Sequence, residues 1–391
     1  MSGVSELRIG VIGAGGRGRL ARHAHRPEEG VRLVAGCDIR DEALDAFKEA
    51  YGPDVFLTRD YRELLDRADV DAVFVTTPDY CHQEHAVAAC RAGKHVYCEK
   101  PMAITVDGCD RILAAAKEGG VKLYVGHNMR HMGVIRKMKE LIDGGAIGEV
   151  KAGWCRHFVG YGGDAYFKDW HAERANTTSL LLQKGAHDID VLHWLCGGYS
   201  RLVSALGGLT LYDRIPDRRR PDEPWDVSWR KDNWPPLTQT KLNPVIDVED
   251  LSMMLAELDN GVFISYQQCH YTPDGWRNYT IIGTEGRIEN FGDAPGDAVV
   301  RLWNCRHDYS AEGDKQFEIP PESGGHGGAD PRIVAEFVRY VREDGPATTS
   351  PVAARQAVAA GCAAAESLRS GGQPVAAPPL PSESANPFRP G

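Results

Sequence analysis

The sequence predicts an α/β protein that begins with a doubly wound parallel sheet and continues into a second domain with its own sheet. From residue 7 to about 146, short β-branched runs alternate with segments of helical periodicity, which is typical of parallel βαβ units. From residue 148 onward the strands alternate apolar and polar residues, which indicates a mixed sheet with one covered face. A chain of 391 residues also exceeds what one hydrophobic core usually serves.

The elements follow from periodicity and from turn residues. In the first domain, strands are predicted at 7–13, 31–38, 71–77, 94–100 and 122–128, and helices near 17–27, 41–51, 61–68, 80–92, 105–119 and 131–143. In the second domain, strand patterns occupy 250–258, 262–271 and 278–291. We expect domains at 1–146 and 147–350, a small-residue helix at 352–371 that packs near the first domain, and a Pro-rich tail at 372–391.

Composition excludes several classes of protein. The net charge of -10 argues against nucleic acid as the main partner, because phosphate contacts need clustered Lys and Arg. The sequence has no stretch near the ~20 apolar residues of a membrane helix, so no membrane partner is expected. The N-terminus lacks the pattern of a secretory signal, which predicts a cytoplasmic location. Ten scattered cysteines without a C-x-x-C pair indicate reduced, mostly buried thiols and no metal site.

A glycine-rich turn follows the first strand directly. The stretch GAGGRG has G-x-G-x-x-G spacing and opens a helix, and Asp38 ends the next strand 20 residues after the last glycine. This context predicts a dinucleotide site, with Asp38 on the adenosine ribose. A carboxylate there favours NAD, whereas Arg40 could pair with a 2'-phosphate, so NADP is not excluded. The candidate cofactor-binding residues here are Gly13, Gly15, Gly16, Arg17, Gly18, Asp38 and Arg40.

The ends of two later strands are rich in polar residues. The third predicted strand ends in TTPDYCHQEHA (76–86), and the fourth ends in YCEKPM (97–102). In an open α/β sheet, ligands bind beyond the carboxyl ends of the strands. The side chains of both segments are therefore candidates for the site. The peptide bond before Pro101 is a candidate for the cis form, since X-Pro bonds tolerate it.

The ordered motifs GAGGRG, TTPDYCH, CEKP, GHNMR and KGAHDID resemble the Gfo/Idh/MocA family of glucose-fructose oxidoreductase, inositol dehydrogenase and rhizopine catabolism proteins. The resemblance extends over about residues 7–370. It implies a Rossmann domain followed by an α+β domain with a large open, mostly antiparallel sheet. It also implies a homo-oligomer, dimer or tetramer, formed through that sheet, and nicotinamide-dependent oxidation or reduction of secondary hydroxyls of sugars and cyclitols.

The resemblance also implies roles for single residues. Glu99 would approach the nicotinamide ribose, and Lys100 would reach the substrate hydroxyl. The remaining residues implied at the cofactor are Thr76, Thr77, Pro78, His82, Lys100 and Asn128.

The stretch LLQKGAHDIDVLHWL (181–195) raises a choice between a metal site and an acid/base centre. His187 and His193 do not face the same way on a helix, which disfavours zinc. Relatives carry an aspartate where this chain has Gln183, and glutamine cannot exchange a proton. We therefore predict His187 as the general base, with Lys100 stabilising the alkoxide and Lys184 binding a second hydroxyl.

Several residues are candidates for the substrate pocket and one segment has no assigned role. The predicted substrate-binding residues are Lys100, Arg156, His157, Trp170, Lys184, His187 and Asp188, and His193 is interpreted as structural. Residues 212–246 lack periodicity and hold three tryptophans, which indicates either a cover over the active site or a subunit contact.

The function predicted is an NAD(P)-dependent dehydrogenase for a secondary hydroxyl of a sugar, glycoside or cyclitol. A glycosidase or lyase that oxidises its substrate transiently, and a non-catalytic cofactor-binding regulator, are the alternatives. The sequence does not identify the sugar, the oxidised carbon or the direction of the reaction.

Overall fold

The structure is a computed structural model that describes residues 6–293, 296–345 and 347–381. Among these residues the chain forms two compact units. The first contains 6–131, 324–345, 347–355 and 380–381, and the second contains 132–293, 296–323 and 356–379. Of the predicted Pro-rich tail, residues 382–391 lie outside the described residues.

The first unit contains a six-stranded parallel sheet. Its strands are β1 (Leu7–Ile12), β2 (Val31–Cys37), β3 (Phe56–Thr58), β4 (Ala72–Val75), β5 (His95–Cys98) and β6 (Leu123–Val125). They lie in the order β3-β2-β1-β4-β5-β6. This is the strand order of the Rossmann fold, in which the order reverses between β1 and β4. The predicted doubly wound sheet is therefore confirmed.

Helices connect these strands and begin at residues suited to that role. They are α1 (Asp41–Tyr51), α2 (Tyr61–Leu65), α3 (His82–Arg91) and α4 (Val106–Glu118). The Asp60 side chain accepts a hydrogen bond from the amide of Arg62 at the start of α2, and Thr105 does the same for Gly108 at the start of α4. Each cap satisfies an amide that has no partner within its own helix. The predicted helix at 17–27 is a 3₁₀ helix at Gly16–Ala24.

A later segment of the chain completes the core of the first unit. Residues 329–343 form a helix, Ala329–Glu343, whose Ile333, Val334 and Phe337 are buried together with the apolar side chains of β1, β4, β5 and β6. Phe337 packs edge to face on both Phe74 and Tyr97. Sequence proximity gives no hint of this association, because nearly 200 residues of the second unit separate the two segments.

The second unit is built on a nine-stranded mixed sheet. Its strands are β7 (Val150–Phe158), β8 (Ser200–Gly208), β9 (Leu251–Leu258), β10 (Phe263–Cys269), β11 (Trp276–Gly283), β12 (Arg287–Phe291), β13 (Val299–Trp303), β14 (Lys315–Glu318) and β15 (Val375–Ala376). The order is β14-β13-β12-β11-β7-β10-β9-β8-β15, and only the pair β7 and β10 is parallel. The strand pattern at 278–291 divides into β11 and β12, with a turn at 284–286 between them.

A run of helices flanks β7 along the chain, and the first and last of them contact the sheet. They are α5 (Gly133–Asp143), α6 (Gly162–Ala165), α7 (Arg174–Thr177), α8 (Leu180–Gln183) and α9 (Gly185–Cys196). The helix of the first unit at Ala329–Glu343 is α10, and the last helix, α11 (Pro351–Arg369), has residues 351–355 in the first unit and 356–369 in the second. The helix α9 lies close to the sheet, since a Cβ atom at Gly153 of β7 would be 2.8 Å from the sulfur of Cys196.

The segment 212–246 has two kinds of surroundings. Its ends are packed, because Tyr212, Ile215 and Leu242 belong to a buried cluster with Phe167. Its middle exposes tryptophan side chains, at Trp225, Trp229 and Trp234. The predicted long irregular loop is therefore observed, with short 3₁₀ turns at Tyr212–Arg214 and Pro236–Thr238.

Three further observations concern the described residues alone. No helix in the described ranges is long and apolar enough to cross a membrane. Six of the ten cysteines are buried, as predicted, and Cys305 is exposed. Within the same ranges, no group of three or more His, Cys, Asp or Glu side chains has an arrangement that could hold a metal ion.

Candidate functional site

The glycine-rich turn after β1 allows backbone to approach backbone. A Cβ atom at Gly18 would lie 2.1 Å from the carbonyl oxygen of Gly13, and Gly13 itself has a φ of 87° with the Thr76 backbone 2.9 Å from its own Cβ position. No other residue type fits at these two positions. Gly16, with a φ of 47°, has no atom within 4 Å of its Cβ position. Close backbone contacts at Gly13 and Gly18 therefore hold the turn against the sheet, whereas the space beside Gly16 is open.

Asp38 and Arg40 meet this turn from the end of β2. The Asp38 carboxylate accepts hydrogen bonds from the amide of Gly15 at 2.9 Å and from the amide of Arg40 at 3.0 Å. Arg40 is mostly exposed, and its guanidinium would be 2.3 Å from a Cβ atom at Gly15. The structure therefore brings the predicted carboxylate and the predicted arginine together over the glycine-rich turn.

These residues fit a dinucleotide. The open backbone at Gly16 leaves room for a pyrophosphate, and any side chain at Gly15 would clash with Arg40 and approach Asp38. A buried carboxylate at the end of β2 is the group that binds a ribose diol in Rossmann folds. The guanidinium of Arg40 beside it offers a positive charge that a 2'-phosphate could use.

The ends of β4 and β5 are joined by one buried histidine. The two ring nitrogens of His82 lie 2.8 Å from the carbonyl oxygens of Thr77 and Pro101. The hydroxyl of Thr77 lies 3.0 Å from a ring nitrogen of His85, and Thr76 donates to the carbonyl of Gly13 at 2.9 Å. The peptide bond between Lys100 and Pro101 is cis, as predicted. His82 therefore connects the two strand ends, and Pro78 begins the 3₁₀ turn between them.

A salt-bridge network lies beside the glycine-rich turn. Arg17 donates from Nε to Glu99 at 2.6 Å and from both terminal nitrogens to Asp330, at 2.9 and 3.1 Å. Asn128 also donates to Asp330, at 2.9 Å, and His326 lies 3.1 Å from the same carboxylate. The network brings together three predicted cofactor-binding residues, namely Arg17, Glu99 and Asn128.

The two carboxylates of this network are held in the charged form. Burial would raise the pKa of Glu99, but Arg17 outweighs it and the pKa is lowered. Burial would also raise the pKa of Asp330, but His326 and Arg17 hold it well below its usual range. Sequence reasoning missed Asp330. The run of glycines in GGHGGAD (324–330) was the available signal, since left-handed glycines at 324, 327 and 328 shape the turn before α10.

In the second unit, the residues from Gln183 into the helix α9 are buried. Gln183 ends α8, and Lys184 links it to α9, which begins at Gly185. In α9 only Trp194 is not buried, so the side chains of His187 and Asp190 are both buried. A Cβ atom at Gly185 would be 3.1 Å from the ring of Tyr266, which explains the glycine at this point.

Asp188 is fully buried and receives donors from three strands. Its carboxylate accepts a hydrogen bond from Nε of Arg277 at 2.9 Å and from the hydroxyl of Tyr266 at 3.0 Å, and Nδ1 of His157 lies at 2.8 Å. The hydroxyl of Tyr279 forms a further, short hydrogen bond with it. These contacts occupy both carboxylate oxygens. We therefore interpret Asp188 and His157 as positioning residues rather than groups that face a ligand.

Arg277 controls the charges around Asp188. Burial would raise the pKa of Asp188, but Arg277 and His157 hold it well below its usual range. For His157, burial and Arg277 lower the pKa to about 3, so the ring is neutral near pH 7. Burial also raises the pKa of Asp293, which lies 3.4 Å from Arg277.

Lys184 has an aromatic partner that the sequence did not predict. Its Nζ donates to the hydroxyl of Tyr161 at 2.8 Å and lies 5.3 Å from the ring centres of Tyr161 and Tyr166. Tyr161 is not among the residues that the sequence singled out. A glycine on either side of it, in GYGG (160–163), was the signal that could have singled it out.

The remaining predicted pocket residues lie elsewhere in the second unit. Arg156, on β7, donates to Asn278 at 3.1 Å and keeps an accessible side chain. Trp170 stacks on His171 with ring centres 3.7 Å apart. His193 contacts the hydroxyl of Ser200 at 2.8 Å, at the start of β8. Neither Arg156 nor Trp170 joins the Asp188 cluster.

Two related proteins illustrate the similarity of sequence. A 1-carboxy-3-chloro-3,4-dihydroxycyclohexa-1,5-diene dehydrogenase from Comamonas testosteroni is 35% identical over 53% of this chain and 51% of its own length. An inositol 2-dehydrogenase from Burkholderia multivorans is 39% identical over 49% of this chain and 55% of its own. The chain thus spans about half the length of the curated relatives it matches.

Solved structures show the same fold over nearly the whole chain. A levoglucosan dehydrogenase in complex with NADH and levoglucosan has a TM-score of 0.78 at 22% identity, covering 96% of this chain and 100% of its own. An oxidoreductase domain protein from Kribbella flavida has a TM-score of 0.79 at 23% identity, with the same coverage. At these identities the similarity establishes the fold.

Family models match both halves of the chain in order. Residues 7–127 match the model described as an oxidoreductase family with an NAD-binding Rossmann fold, which confirms the predicted cofactor class of this domain. Residues 139–376, more than half of the chain, match the C-terminal alpha/beta domain of the same family. The protein therefore belongs to the Gfo/Idh/MocA oxidoreductase family.

Proposed function

We propose that this protein is an NAD-dependent dehydrogenase that oxidises a secondary hydroxyl of a sugar, a glycoside or a cyclitol. The observation on which the proposal mainly depends is the hydrogen bond from the Gly15 amide to Asp38, which holds a carboxylate beside an open glycine turn. This geometry suits an adenosine ribose without a 2'-phosphate. The names of the relatives, inositol and levoglucosan dehydrogenases among them, support the substrate class.

In this proposal two parts of the chain divide the work as the sequence suggested. Residues 1–146 bind the cofactor and 147–350 bind the substrate. Gly13, Gly15, Gly16 and Gly18 hold the pyrophosphate, and Asp38 holds the adenosine ribose. Arg17 orients Glu99 through their 2.6 Å contact, so that the Glu99 carboxylate can bind the nicotinamide ribose. NAD, when bound, supplies the acceptor for a hydride.

The chemistry on the substrate needs a cation and a base. Lys100 follows β5 next to Glu99, and its amide donates to that carboxylate at 3.0 Å, which fixes the backbone of the strand end. We assign Lys100 to the substrate hydroxyl, where an ammonium stabilises the developing alkoxide. His187 is the candidate base from the sequence, and Tyr161 is a second candidate.

The outer face of the nine-stranded sheet supports the proposed homo-oligomer. Leu206, Met253, Leu255 and Phe263 point to the same face of β8, β9 and β10, and each side chain is at least half exposed. Four large apolar side chains on one open face are typical of a surface that a second protein chain covers. The cytoplasmic location stays a prediction from the sequence.

The test is NADH formation by the purified protein with NAD, and separately with NADP, against free sugars, inositols, anhydrosugars and aryl glycosides. A rise in NADH together with a product two hydrogens lighter by mass spectrometry would support the proposal. Release of an aglycone without net NADH would instead favour the redox-cycling glycosidase. Binding of NAD without turnover of any compound would favour a regulator.

Variants then test the assignment of Lys100. Lys100→Met should lower kcat by about a hundredfold or more, since one charge-stabilising group contributes on that scale, and should leave the Kd for NAD nearly unchanged. Lys48→Met, at an exposed position of α1, is the matched control. Equal turnover by the two variants would reject Lys100 as a catalytic residue.

A further inference from the structure

Lys184 is a buried cation without a carboxylate partner. The side chain is 6% exposed, and within the described residues it forms no salt bridge. Its hydrogen-bond acceptor is the phenol oxygen of Tyr161, at 2.8 Å. A buried charge of this kind is costly unless an anion comes close to it. A phenolate at Tyr161 would be such an anion, because the carboxylate of Asp188 is already occupied by Arg277.

Close backbone packing fixes the position of Tyr161. A Cβ atom would lie 2.6 Å from the carbonyl oxygen of Asp274 if placed on Gly160, and 2.1 Å from that of His270 if placed on Gly162. At Gly163 it would lie 2.7 Å from the hydroxyl of Tyr212. These three close contacts leave the segment 160–163 little freedom to move. Tyr161 itself is only half-buried, so it is the accessible member of the pair.

The groups around the pair add positive charge. Arg277 lies near enough to interact with both Tyr161 and Lys184. The pKa of Lys184 is raised above its usual range, because the oxygens of Tyr161 and Tyr166 outweigh the effect of burial. Burial raises the pKa of Tyr166 to about 12, so that phenol stays protonated. Other titratable groups in this region include His157, His171, Asp188, Tyr212, His270 and Asp293.

His270 is a second polar group of this region that lacks a partner. It is fully buried, and neither of its ring nitrogens has a hydrogen-bond partner in the described part of the chain. Its ring packs edge to face on Tyr166, with centres 5.3 Å apart. Burial lowers its pKa well below the usual range, so the ring adds no charge near pH 7. The charge balance at Tyr161 is therefore set by Lys184 and Arg277.

We propose that Tyr161, paired with Lys184, takes up the proton of the substrate hydroxyl in place of the carboxylate that Gln183 cannot supply. The proposal rests on the proposed dehydrogenase function and names a catalytic residue for it. During oxidation the O–H bond breaks and its proton passes to the Tyr161 phenolate oxygen, while the C–H electron pair leaves with hydrogen to the nicotinamide and a carbonyl forms. Reduction runs the same step in reverse. Lys184 stabilises the phenolate between turnovers.

A spectroscopic titration tests the pair without any substrate or cofactor. Tyrosinate formation is followed by near-ultraviolet absorbance as the pH is raised on the purified full-length chain. We expect one tyrosine to ionise clearly below the ordinary tyrosine pKa of about 10. That step should be absent in Tyr161→Phe, moved to higher pH in Lys184→Met, and retained in Lys184→Arg. Tyr309→Phe, at an exposed tyrosine, should leave it unchanged.

Kinetics on an identified substrate provide the second readout. Removing an acid/base group costs about a hundredfold to ten-thousandfold in rate, so Tyr161→Phe should lose kcat on that scale with an unchanged Kd for NAD. His187→Asn should lose less. The rate of the wild type should fall toward low pH, as the phenolate is protonated, and Lys184→Met should shift that limb to higher pH.

The outcomes separate this proposal from the proposed function. If Tyr161→Phe keeps kcat within about twofold of the wild type, Tyr161 is not the base, whereas the dehydrogenase function stands. A wild-type titration identical to that of Tyr161→Phe also overturns the proposal. If no compound yields NADH, both the function and the role of Tyr161 in it are rejected.

Discussion

Arg277 donates a hydrogen bond from Nε to the carboxylate of Asp188 at 2.9 Å, and Asp188 is fully buried in the second unit. The pair joins β11 to α9, the helix that carries His187. Two buried charges compensate each other here, and the tyrosines and the histidine around Asp188 satisfy its remaining lone pairs. The position of α9 on the sheet therefore depends on an electrostatic contact as well as on apolar packing.

Asp188→Asn should destabilise the fold. The substitution leaves Arg277 buried without its main counter-ion, and breaking a buried ion pair on one side typically costs about 3–5 kcal/mol. Denaturant unfolding at neutral pH measures the loss. The control is Glu149→Gln, whose side chain forms an exposed ion pair with Lys151, and exposed pairs contribute at most about 1 kcal/mol. Equal stability of the two variants would contradict the assigned role of the Arg277 pair.

The free energy of unfolding should fall as the pH is lowered from 7 to 5. Burial and Arg277 lower the pKa of His157 to about 3, whereas an unfolded histidine has a pKa of about 6.5. Below pH 6.5 the unfolded chain therefore binds a proton that the folded chain excludes, and unfolding becomes easier.

His157→Gln should reduce the slope of the unfolding free energy against pH, by an amount that corresponds to about one bound proton at most. Asp188 does not disturb the comparison, since its contribution is lost only below the pKa of an unfolded aspartate, about 3.9. His307 is the control of opposite sign, because the Asp308 carbonyl and Asp314 raise its pKa. His307→Gln should not weaken the dependence of the unfolding free energy on pH. An identical slope for the wild type and His157→Gln would show that His157 is not excluded from protonation.

Arg17→Gln should weaken binding of NAD by about tenfold to a hundredfold, the range expected for loss of a hydrogen bond between charged groups. Arg17 holds Glu99 and Asp330 beside the glycine turn, and without it both carboxylates lose the guanidinium that compensates their charge. Calorimetric titration with NAD measures the effect. Arg19→Gln makes the same change of charge at an exposed position of the same 3₁₀ helix. The prediction fails if both variants bind NAD alike.

Asp38 and Arg40 should set the choice between NAD and NADP. Asp38→Ser removes the carboxylate that accepts from Gly15 and that would repel a 2'-phosphate. We expect the Kd for NAD to rise and that for NADP to fall, each by about tenfold. Arg40→Ala should weaken the binding of NADP alone. Titration of each of the two variants with NAD and with NADP checks this prediction. An unchanged preference of Asp38→Ser for NAD over NADP would show that Asp38 does not bind the ribose.

The first sheet could be predicted nearly strand by strand. β1, β2, β4, β5 and β6 are buried and rich in β-branched residues, so short apolar runs between helical patterns reveal them. β3 was missed: Phe56–Thr58 is an edge strand as short as β6, but it is only partly buried, whereas all three residues of β6 are buried. The glycine turn and Asp38 could be predicted because their spacing is local in the chain.

The second unit was harder to predict. The alternation in β9 and β10 showed one exposed face, which the structure confirms at Met253, Leu255 and Phe263. Pairing of β7 with β10 joins residues more than 100 positions apart, and no local pattern specifies it. On α9, the sequence offered Asp188 as a substrate-binding residue. Its contacts with Arg277 and Tyr279 of β11 join residues about 90 positions apart, and no local pattern specifies them.

The sequence by itself determined the family, the two sheet types, the NAD-binding turn and the residues that end β4 and β5. Each of these features depends on residues within about one βαβ unit of the sequence, because the patterns of strands, turns and helices involve consecutive residues. Only the tertiary structure decided that Asp330 binds Arg17, that Arg277 binds Asp188 and that Tyr161 binds Lys184. Charged groups distant in sequence compensate each other only when burial forces them together, and burial is a property of the folded chain.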